Sequence, residues 1–132
     1  MKGFFGNLED QTVKNTDFRR VLYTGKHTQL VLMSLPPNGE IGTETHADND
    51  QFLRFEQGSG RVVVDGNEYE VGDGSAVVVP AGAEHNVVNT SSSEPLKLYT
   101  LYSPPHHKDG IVRATREEAE ASEEEFEGTT TE

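Results

Sequence analysis

Two side chains suited to metal binding, Glu44 and His46, lie two residues apart. Residues 43–47 are predicted to be extended, and side chains at positions i and i+2 of a strand leave the same face. The loop 48–50 then allows Gln51 to return on the adjoining strand. A carboxylate, an imidazole and an amide oxygen on neighbouring strands are donors that a metal ion can use.

A second histidine, His85, follows a sharp turn between two apolar strands. Residues 76–79 read Ala-Val-Val-Val, Pro80 and Gly82 predict the turn, and the next apolar strand covers 86–88. A histidine held between two rigid elements suits a metal ligand. Alone, a histidine beside apolar residues is more often a hydrogen-bonded structural residue, so the metal interpretation depends on the other donors.

Together these donors predict a site for one divalent metal ion, held by Glu44, His46, Gln51 and His85. Two imidazoles, one carboxylate and one amide oxygen suit Zn²⁺, Fe²⁺, Mn²⁺, Ni²⁺ or Co²⁺, and ligand types alone do not select among them. Asp50 is an alternative to Gln51 as the fourth ligand. Taken singly, Glu44 is better explained by a surface ion pair, and Gln51 by an ordinary polar position in a strand.

Short strands separated by Gly and Pro must position these donors, which predicts an all-β sandwich or barrel. Asp65-Gly66 is a strong signal for a two-residue hairpin. The predicted strands lie at 19–24, 28–35, 43–47, 51–56, 61–64, 68–71, 76–79, 86–88 and 95–102.

Strand alternation predicts which side chains face the interior. If Gln51 points inward, Leu53 and Phe55 are also inside, while Phe52 and Arg54 are outside. An outward Phe52 beside 62–64 needs cover, which predicts a subunit interface and a homodimer. Tyr99 and Tyr102 have opposite parity, so only one of them is expected to face the pocket.

The chain divides into an N-terminal arm at 1–17, a barrel at 18–105 and an acidic helix and tail at 106–132. The arm is predicted to be extended, because it is polar and shows no clear period. Thr115 followed by Glu118 is a capping box and predicts a helix over 116–126, followed by a frayed tail. His106 and His107 are predicted to lie in a solvated loop, the alternative being that they line the barrel mouth and receive an anionic substrate. His27 is expected to be plain surface.

The charge balance excludes some partners. The chain carries 23 acidic and 11 basic residues, and eight of the acidic ones lie in 117–132. A surface of that sign repels phosphate backbones, so nucleic-acid binding is not expected. The sequence shows neither an apolar run long enough for a membrane span nor a signal peptide. Cysteine is absent, which excludes thiolate metal sites, and the default location is the cytoplasm.

The segment around His85 resembles the second motif of the cupin family, whose members are small conical β-barrels. That motif runs Gly, five residues, Pro-x-Gly, two residues, His, three residues, Asn. The chain matches it at every position: Gly74, Pro80, Gly82, His85 and Asn89. The resemblance implies a single-domain cupin of jelly-roll type, a double-stranded β-helix, with strands on both sides of the motifs completing the barrel.

The first cupin motif is present with altered residues. It usually runs Gly, five residues, His-x-His, three or four residues, Glu, six residues, Gly. The spacing holds from Glu44 through His46 and Gln51 to Gly58, while the opening Gly is displaced by one residue to Gly39. Glu44 stands where the family usually has His, and Gln51 stands where it usually has Glu. At this joint spacing the metal interpretation is favoured over the separate explanations.

The closest resemblance is to small cupins described as mannose-6-phosphate isomerase-like, including the ending Tyr-Ser-Pro-Pro-His-His. Phosphomannose isomerases of type I bind zinc through Gln, His, Glu and His, the same four residue types. The resemblance implies a metal-dependent enzyme of isomerase type acting on a small carbonyl or sugar-like compound, and the acidic charge balance makes a neutral sugar or a keto-acid at least as plausible as a phosphosugar. A phosphosugar would need a basic cluster, and only Arg54, Arg61, Lys97 and Lys108 lie near the barrel segments. The alternatives are an Fe²⁺-dependent dioxygenase and a non-catalytic metal- or sugar-binding module, the latter because no base besides the ligands is evident.

Overall fold

In the computed structural model, which describes residues 1–132, the chain forms ten strands and two short helices. The helices are α1 (Leu8–Lys14) and α2 (Arg116–Ala121). The strands are β1 (Arg19–Thr24), β2 (Gln29–Leu35), β3 (Glu44–Thr45), β4 (Asp50–Gln57), β5 (Gly60–Val64), β6 (Asn67–Val71), β7 (Ala76–Val79), β8 (Glu84–Asn89), β9 (Leu96–Ser103) and β10 (Val112–Arg113).

The strands form two antiparallel sheets that enclose one core. The larger sheet has the order β10-β1-β2-β9-β4-β7, and the smaller one has the order β3-β8-β5-β6. Neighbours distant in sequence, such as β2 and β9 or β3 and β8, pair with each other. The predicted all-β jelly roll with a short C-terminal helix is confirmed. No helix is long and apolar enough to cross a membrane.

The alternation predicted for β4 is confirmed. Leu53 and Phe55 are fully buried in the core, and Phe52 and Arg54 face outward. Tyr102 is the inward member of the tyrosine pair, because it is buried, whereas Tyr99 lies outside near Phe52. The prediction that Phe52 lies beside residues 62–64 was wrong.

Phe52 pairs across the larger sheet with Val78 and Leu101, not with 62–64. The strand that contains 62–64 is β5, which belongs to the smaller sheet. The prediction assumed that consecutive strands are neighbours in one sheet. The chain instead changes sheets at the turn between β4 and β5.

The Asp65-Gly66 turn confirms the predicted hairpin between β5 and β6. Both residues have positive φ angles, 46° and 81°, as a two-residue turn that matches the twist of its strands requires. Asp65 also accepts a hydrogen bond from the backbone N–H of Glu84 through its side chain, at 2.8 Å. The turn is thereby tied to β8, the strand that carries His85.

Gly58, between β4 and β5, is a position where a side chain has no room. Its φ is 109°, and a Cβ there would lie 2.6 Å from the carbonyl oxygen of Pro95. We expect Gly58→Ala to lower the free energy of unfolding by at least about 2 kcal/mol, because backbone strain and collision add. Gly110→Ala is the control, since its φ is 76° and nothing lies within 4 Å; strain alone should cost it about 1 kcal/mol. Equal midpoints of urea unfolding for the two variants would contradict this expectation.

The prediction of an extended N-terminal arm was wrong in one part, because residues 8–14 form α1. Asn7 caps the helix by accepting the backbone N–H of Asp10 at 2.9 Å. The helix packs over the outer face of β9 and β4, and Thr12 on its inner side is fully buried. Tertiary packing on a sheet, which a local pattern does not show, stabilises this seven-residue helix.

The C-terminal helix begins where predicted and ends early, at Ala121 instead of Phe126. Thr115 Oγ1 accepts the backbone N–H of Glu118, and the Glu118 carboxylate accepts the N–H of Ala114. The first bond is the one that the predicted capping box requires, whereas the second reaches the residue before the N-cap instead of Thr115 itself. The glutamate-rich remainder has no basic residue in the last helical turn to offset the helix dipole.

The tail after α2 is not frayed, which corrects the sequence prediction. Residues 124–126 run along 106–108, with backbone hydrogen bonds from Lys108 to Glu124 and from Phe126 to His106. Farther on, Thr131 bonds to Thr24 of β1. The segment therefore packs against the end of the barrel.

Candidate metal centre

Strands β3 and β8 bring Glu44 and His85 together. The two residues are direct partners in the antiparallel ladder, and side chains of directly paired residues leave the same face of a sheet. His46 follows Glu44 by two residues and faces the same side. One oxygen or nitrogen atom from each of the three side chains lies within 4.8 Å of those of the other two.

His85 is oriented for binding through Nε2. Its Nδ1 lies 3.0 Å from the carbonyl oxygen of Ala83, and because a carbonyl oxygen only accepts, Nδ1 must carry the proton. The lone pair of the neutral ring is then on Nε2, which is buried and has no hydrogen-bond partner. A backbone carbonyl that fixes the tautomer is the usual support of a metal-binding histidine.

His46 presents a second unpaired nitrogen to the same space. Its Nε2 is buried without a hydrogen-bond partner and lies 3.5 Å from Glu44 Oε1. The ring centres of His46 and His85 are 5.2 Å apart. Buried polar atoms without partners are costly, and two of them converging beside a carboxylate fit a bound cation.

Gln51 and Asp50 differ in what their side chains reach. Gln51 is buried on β4, its Nε2 donates to Thr100 Oγ1 at 3.0 Å, and its Oε1 has no partner. Asp50 is exposed and accepts the backbone N–H of Ala81 at 2.9 Å. An unpaired amide oxygen is available for a cation, whereas the carboxylate of Asp50 is committed to the turn before β8.

The carboxyl group of Glu44 is held in its charged form. Burial opposes ionisation, but the neighbouring His46, His85 and Arg19 outweigh it, so the pKa of Glu44 is lowered. The three converging side chains therefore offer one carboxylate and two imidazole nitrogens. This set fits a divalent transition metal and contains no sulfur.

His106 and His107 line the mouth of the barrel, so the prediction of a solvated loop was wrong. His107 is buried, with its Nε2 3.4 Å from the Tyr102 hydroxyl, and the backbone N–H of each histidine donates to Gln29 Oε1. The His106 ring centre lies 4.3 Å from that of His46. Burial lowers the pKa of His106, which favours its neutral form.

Arg19 is a functional candidate that the sequence analysis missed. It lies on β1, facing a cavity of about 220 Å³ that also reaches Glu44, His46 and His106. The signal for it was the parity of β1, since Arg19 is two residues before the buried Val21 and shares its face. That signal is weak for Arg19, because it is the first residue of its strand and no earlier strand residue shows the same alternation.

The tail forms the outer wall of this cavity. Residues 122–125 line it together with Arg113. Arg113 donates to the carbonyl oxygen of Ser122 at 3.0 Å and to Glu124 Oε2 at 3.1 Å. Part of the acidic C-terminus therefore narrows the approach to the Glu44, His46 and His85 cluster.

Asn89, the last residue of the segment that presents His85, has a structural role. Its Nδ2 lies within 3.2 Å of the carbonyl oxygens of Leu35, Pro36 and Glu94. It is fully buried at the end of β8 and ties this strand to the loops that follow β2 and precede β9. Its side chain thus helps to fix the strand that carries His85.

Comparisons with known proteins agree with this architecture. A family model described as a cupin domain matches residues 31–102. The chain is 46% identical over 129 residues to the uncharacterized protein YrkC of Bacillus subtilis, covering 93% of this chain and 69% of YrkC. The uncharacterized protein L612 of Acanthamoeba polyphaga mimivirus is 40% identical over 119 residues, with 88% of this chain and 74% of L612 covered. The crystal structure of BH2720 from Bacillus halodurans superposes with a TM-score of 0.89 at 44% identity, covering 92% of this chain and 96% of that one.

Proposed function

The chain belongs to the cupin family, and we propose that it binds one divalent metal ion through Glu44, His46 and His85, with Gln51 as a fourth ligand. We propose further that it is an enzyme of isomerase type acting on a small sugar-like or keto-acid compound. The metal is one of Zn²⁺, Fe²⁺, Mn²⁺, Ni²⁺ and Co²⁺, the ions that this donor set accommodates.

One observation carries the metal proposal. Three buried polar atoms, His46 Nε2, His85 Nε2 and Gln51 Oε1, have no hydrogen-bond partner, and the two histidines lie beside an ionised Glu44. Each unsatisfied buried polar atom costs about 1–3 kcal/mol. A cation would satisfy the nitrogens and the carboxylate together.

The catalytic part of the proposal depends on what surrounds the cluster. A bound divalent ion would supply positive charge that polarises a carbonyl or hydroxyl oxygen. His106, half-buried beside His46, is placed to accept and return a proton through a ring nitrogen, as an isomerisation between neighbouring carbons requires. The wall formed by 122–125 reduces access of water to this space.

One alternative has a specific observation in its favour. Glu44, His46 and His85 make a two-histidine, one-carboxylate set, which is also the ligand set of Fe²⁺ oxygenases. The non-catalytic binding module is less well supported, because His106 provides the base that such a module would lack.

A homodimer is also proposed, on the strength of the outer face of the larger sheet. Val78 is 65% exposed there, and its ladder partner Phe52 is only partly covered. A second copy covering these side chains would remove apolar surface from water.

Metal analysis followed by a substrate screen tests the function. Protein purified without added metal is expected to contain about one divalent ion per chain, and the reconstituted protein is expected to convert a sugar or keto-acid to an isomer of unchanged mass. NMR of the reaction mixture measures the conversion, and an oxygen electrode with the Fe²⁺ form tests the alternative. Metal-dependent oxygen uptake without isomerisation would replace the isomerase proposal by the dioxygenase. Failure of all five ions to bind would refute both.

A further inference from the structure

Arg19 is a cation in the cavity wall without an anionic partner. It forms no salt bridge and no side-chain hydrogen bond, its Nε is buried, and its guanidinium carbon lies over the Phe18 ring, 5.4 Å from the ring centre. Its neighbour in sequence, Arg20, pairs with Asp17 at 3.5 Å, and Arg113 in the same wall pairs with Glu124 at 3.1 Å. A partly buried guanidinium loses hydration on folding, and a partner anion normally restores the balance.

The surroundings of Arg19 indicate where that anion would come from. Arg19 and the cluster residues Glu44 and His46 line one cavity of about 220 Å³. His106 lines it too, with its ring centre 4.3 Å from that of His46. The carboxylate of Glu44 does not pair with Arg19, although both face this space. The guanidinium rests on one face against Phe18, and its N–H donors remain available to a ligand that enters the cavity.

We propose that Arg19 binds the carboxylate of a small 2-oxo or 2-hydroxy acid whose neighbouring oxygen faces the Glu44, His46 and His85 cluster. This inference rests on the proposed function and narrows its substrate class to the acids. Arginine suits the task because its planar fork can donate two parallel hydrogen bonds to one carboxylate.

Charge and size favour a small monoanion over a phosphosugar. Arg113, the other arginine of the wall, is engaged by Ser122 and Glu124, so only Arg19 offers a free positive charge. Three glutamates of the tail, at 123–125, line the outer wall and would repel a dianion more strongly than a monoanion. The cavity is also smaller than the roughly 300–1,000 Å³ of pockets for drug-sized ligands.

Calorimetric titration with pyruvate and with pyruvamide, its neutral counterpart, tests the proposal. The proteins are the wild type, Arg19→Gln and Arg61→Gln, each in metal-free and Zn²⁺-loaded form. Arg61 is the matched control, because its Nε is also buried without a partner but it lies on β5, outside the cavity. Arg19→Lys, which keeps the charge without the fork, serves as a second variant, and circular dichroism checks that all variants are folded.

We expect Arg19→Gln to weaken pyruvate binding on the order of 10-fold to 100-fold, the range for hydrogen bonds to charged groups. Arg61→Gln should bind as the wild type does, and Arg19→Lys should fall between. Pyruvate binding that is equal in wild type and Arg19→Gln, absent from the wild type, or no tighter than pyruvamide binding would overturn the proposal.

The metal proposal and the Arg19 proposal can fail separately in this experiment. Zn²⁺ content is measured on each protein before titration, and Arg19→Gln is expected to hold as much Zn²⁺ as the wild type. A wild type that takes up no Zn²⁺ refutes the proposed metal site, and the metal-free titrations then decide the role of Arg19. A loss of Zn²⁺ from Arg19→Gln would instead make Arg19 a support of the cluster and would contradict its assignment as an anion site.

Discussion

His85→Ala is expected to lose at least about 100-fold in affinity for Zn²⁺, more than removal of a supporting residue around a metal site costs. The substitution removes the ring whose Nε2 is directed away from the Ala83 carbonyl oxygen. Glu44 and His46 then remain as the strong ligands, and the neutral amide oxygen of Gln51, a weaker donor, does not replace an imidazole nitrogen. The measurement is competition of the protein with a chromophoric chelator, together with metal content after purification.

His27→Ala is the control for this experiment. His27 is exposed in the turn between β1 and β2, as the sequence predicted, and its removal should leave Zn²⁺ affinity unchanged. Unchanged affinity in His85→Ala, with the protein still folded, would show that the metal lies elsewhere. Equal losses in both variants would indicate that Zn²⁺ binds histidines nonspecifically.

Phe55→Ala is expected to lower the free energy of unfolding by about 3–5 kcal/mol, the usual cost of truncating a buried phenylalanine to alanine. The ring is fully buried in the core between the two sheets. The backbone of Phe55 also binds Ser75 and Gly74 at the start of the segment that leads to His85. Since domains of this kind have only about 5–15 kcal/mol of stability, the loss should be visible as a large fall in the urea midpoint.

Phe5→Ala makes the same chemical change at a surface position. The side chain of Phe5 is 99% exposed, compared with 0% for Phe55, so its removal should change stability by less than about 0.5 kcal/mol. Similar urea midpoints for the two variants would contradict the placement of Phe55 in the core.

The barrel could be predicted from the sequence because its signals are local and periodic. Alternation along β4 predicts the inward positions of Leu53 and Phe55, and Asp65-Gly66 predicts the hairpin between β5 and β6. The close spacing of Glu44 and His46 on an extended segment predicts a shared face. What joins them to His85, the pairing of β3 with β8, follows from the family resemblance and not from local spacing.

The features that could not be predicted depend on contacts distant in sequence. The helix α1 is seven residues long and depends on packing against β9 and β4, so its own residues show little periodicity. The strand β10 has two residues and exists through pairing with β1. Arg19 and the tail meet only because β1 and residues 122–125 close the same end of the barrel. A charge run such as this tail usually indicates a solvated segment, and here its backbone hydrogen bonds to 106–108 outweigh that tendency.

The outer wall of the cavity is built from a segment that follows the last strand and belongs to neither sheet. Residues 122–125 can therefore be exchanged without changing the pairing of β3 with β8, on which the Glu44, His46 and His85 cluster depends. Grafting shorter, longer or neutral sequences at this point would offer a route to redesigned selectivity on a constant scaffold. During evolution, the same arrangement would let ligand specificity change while the metal-binding residues are retained.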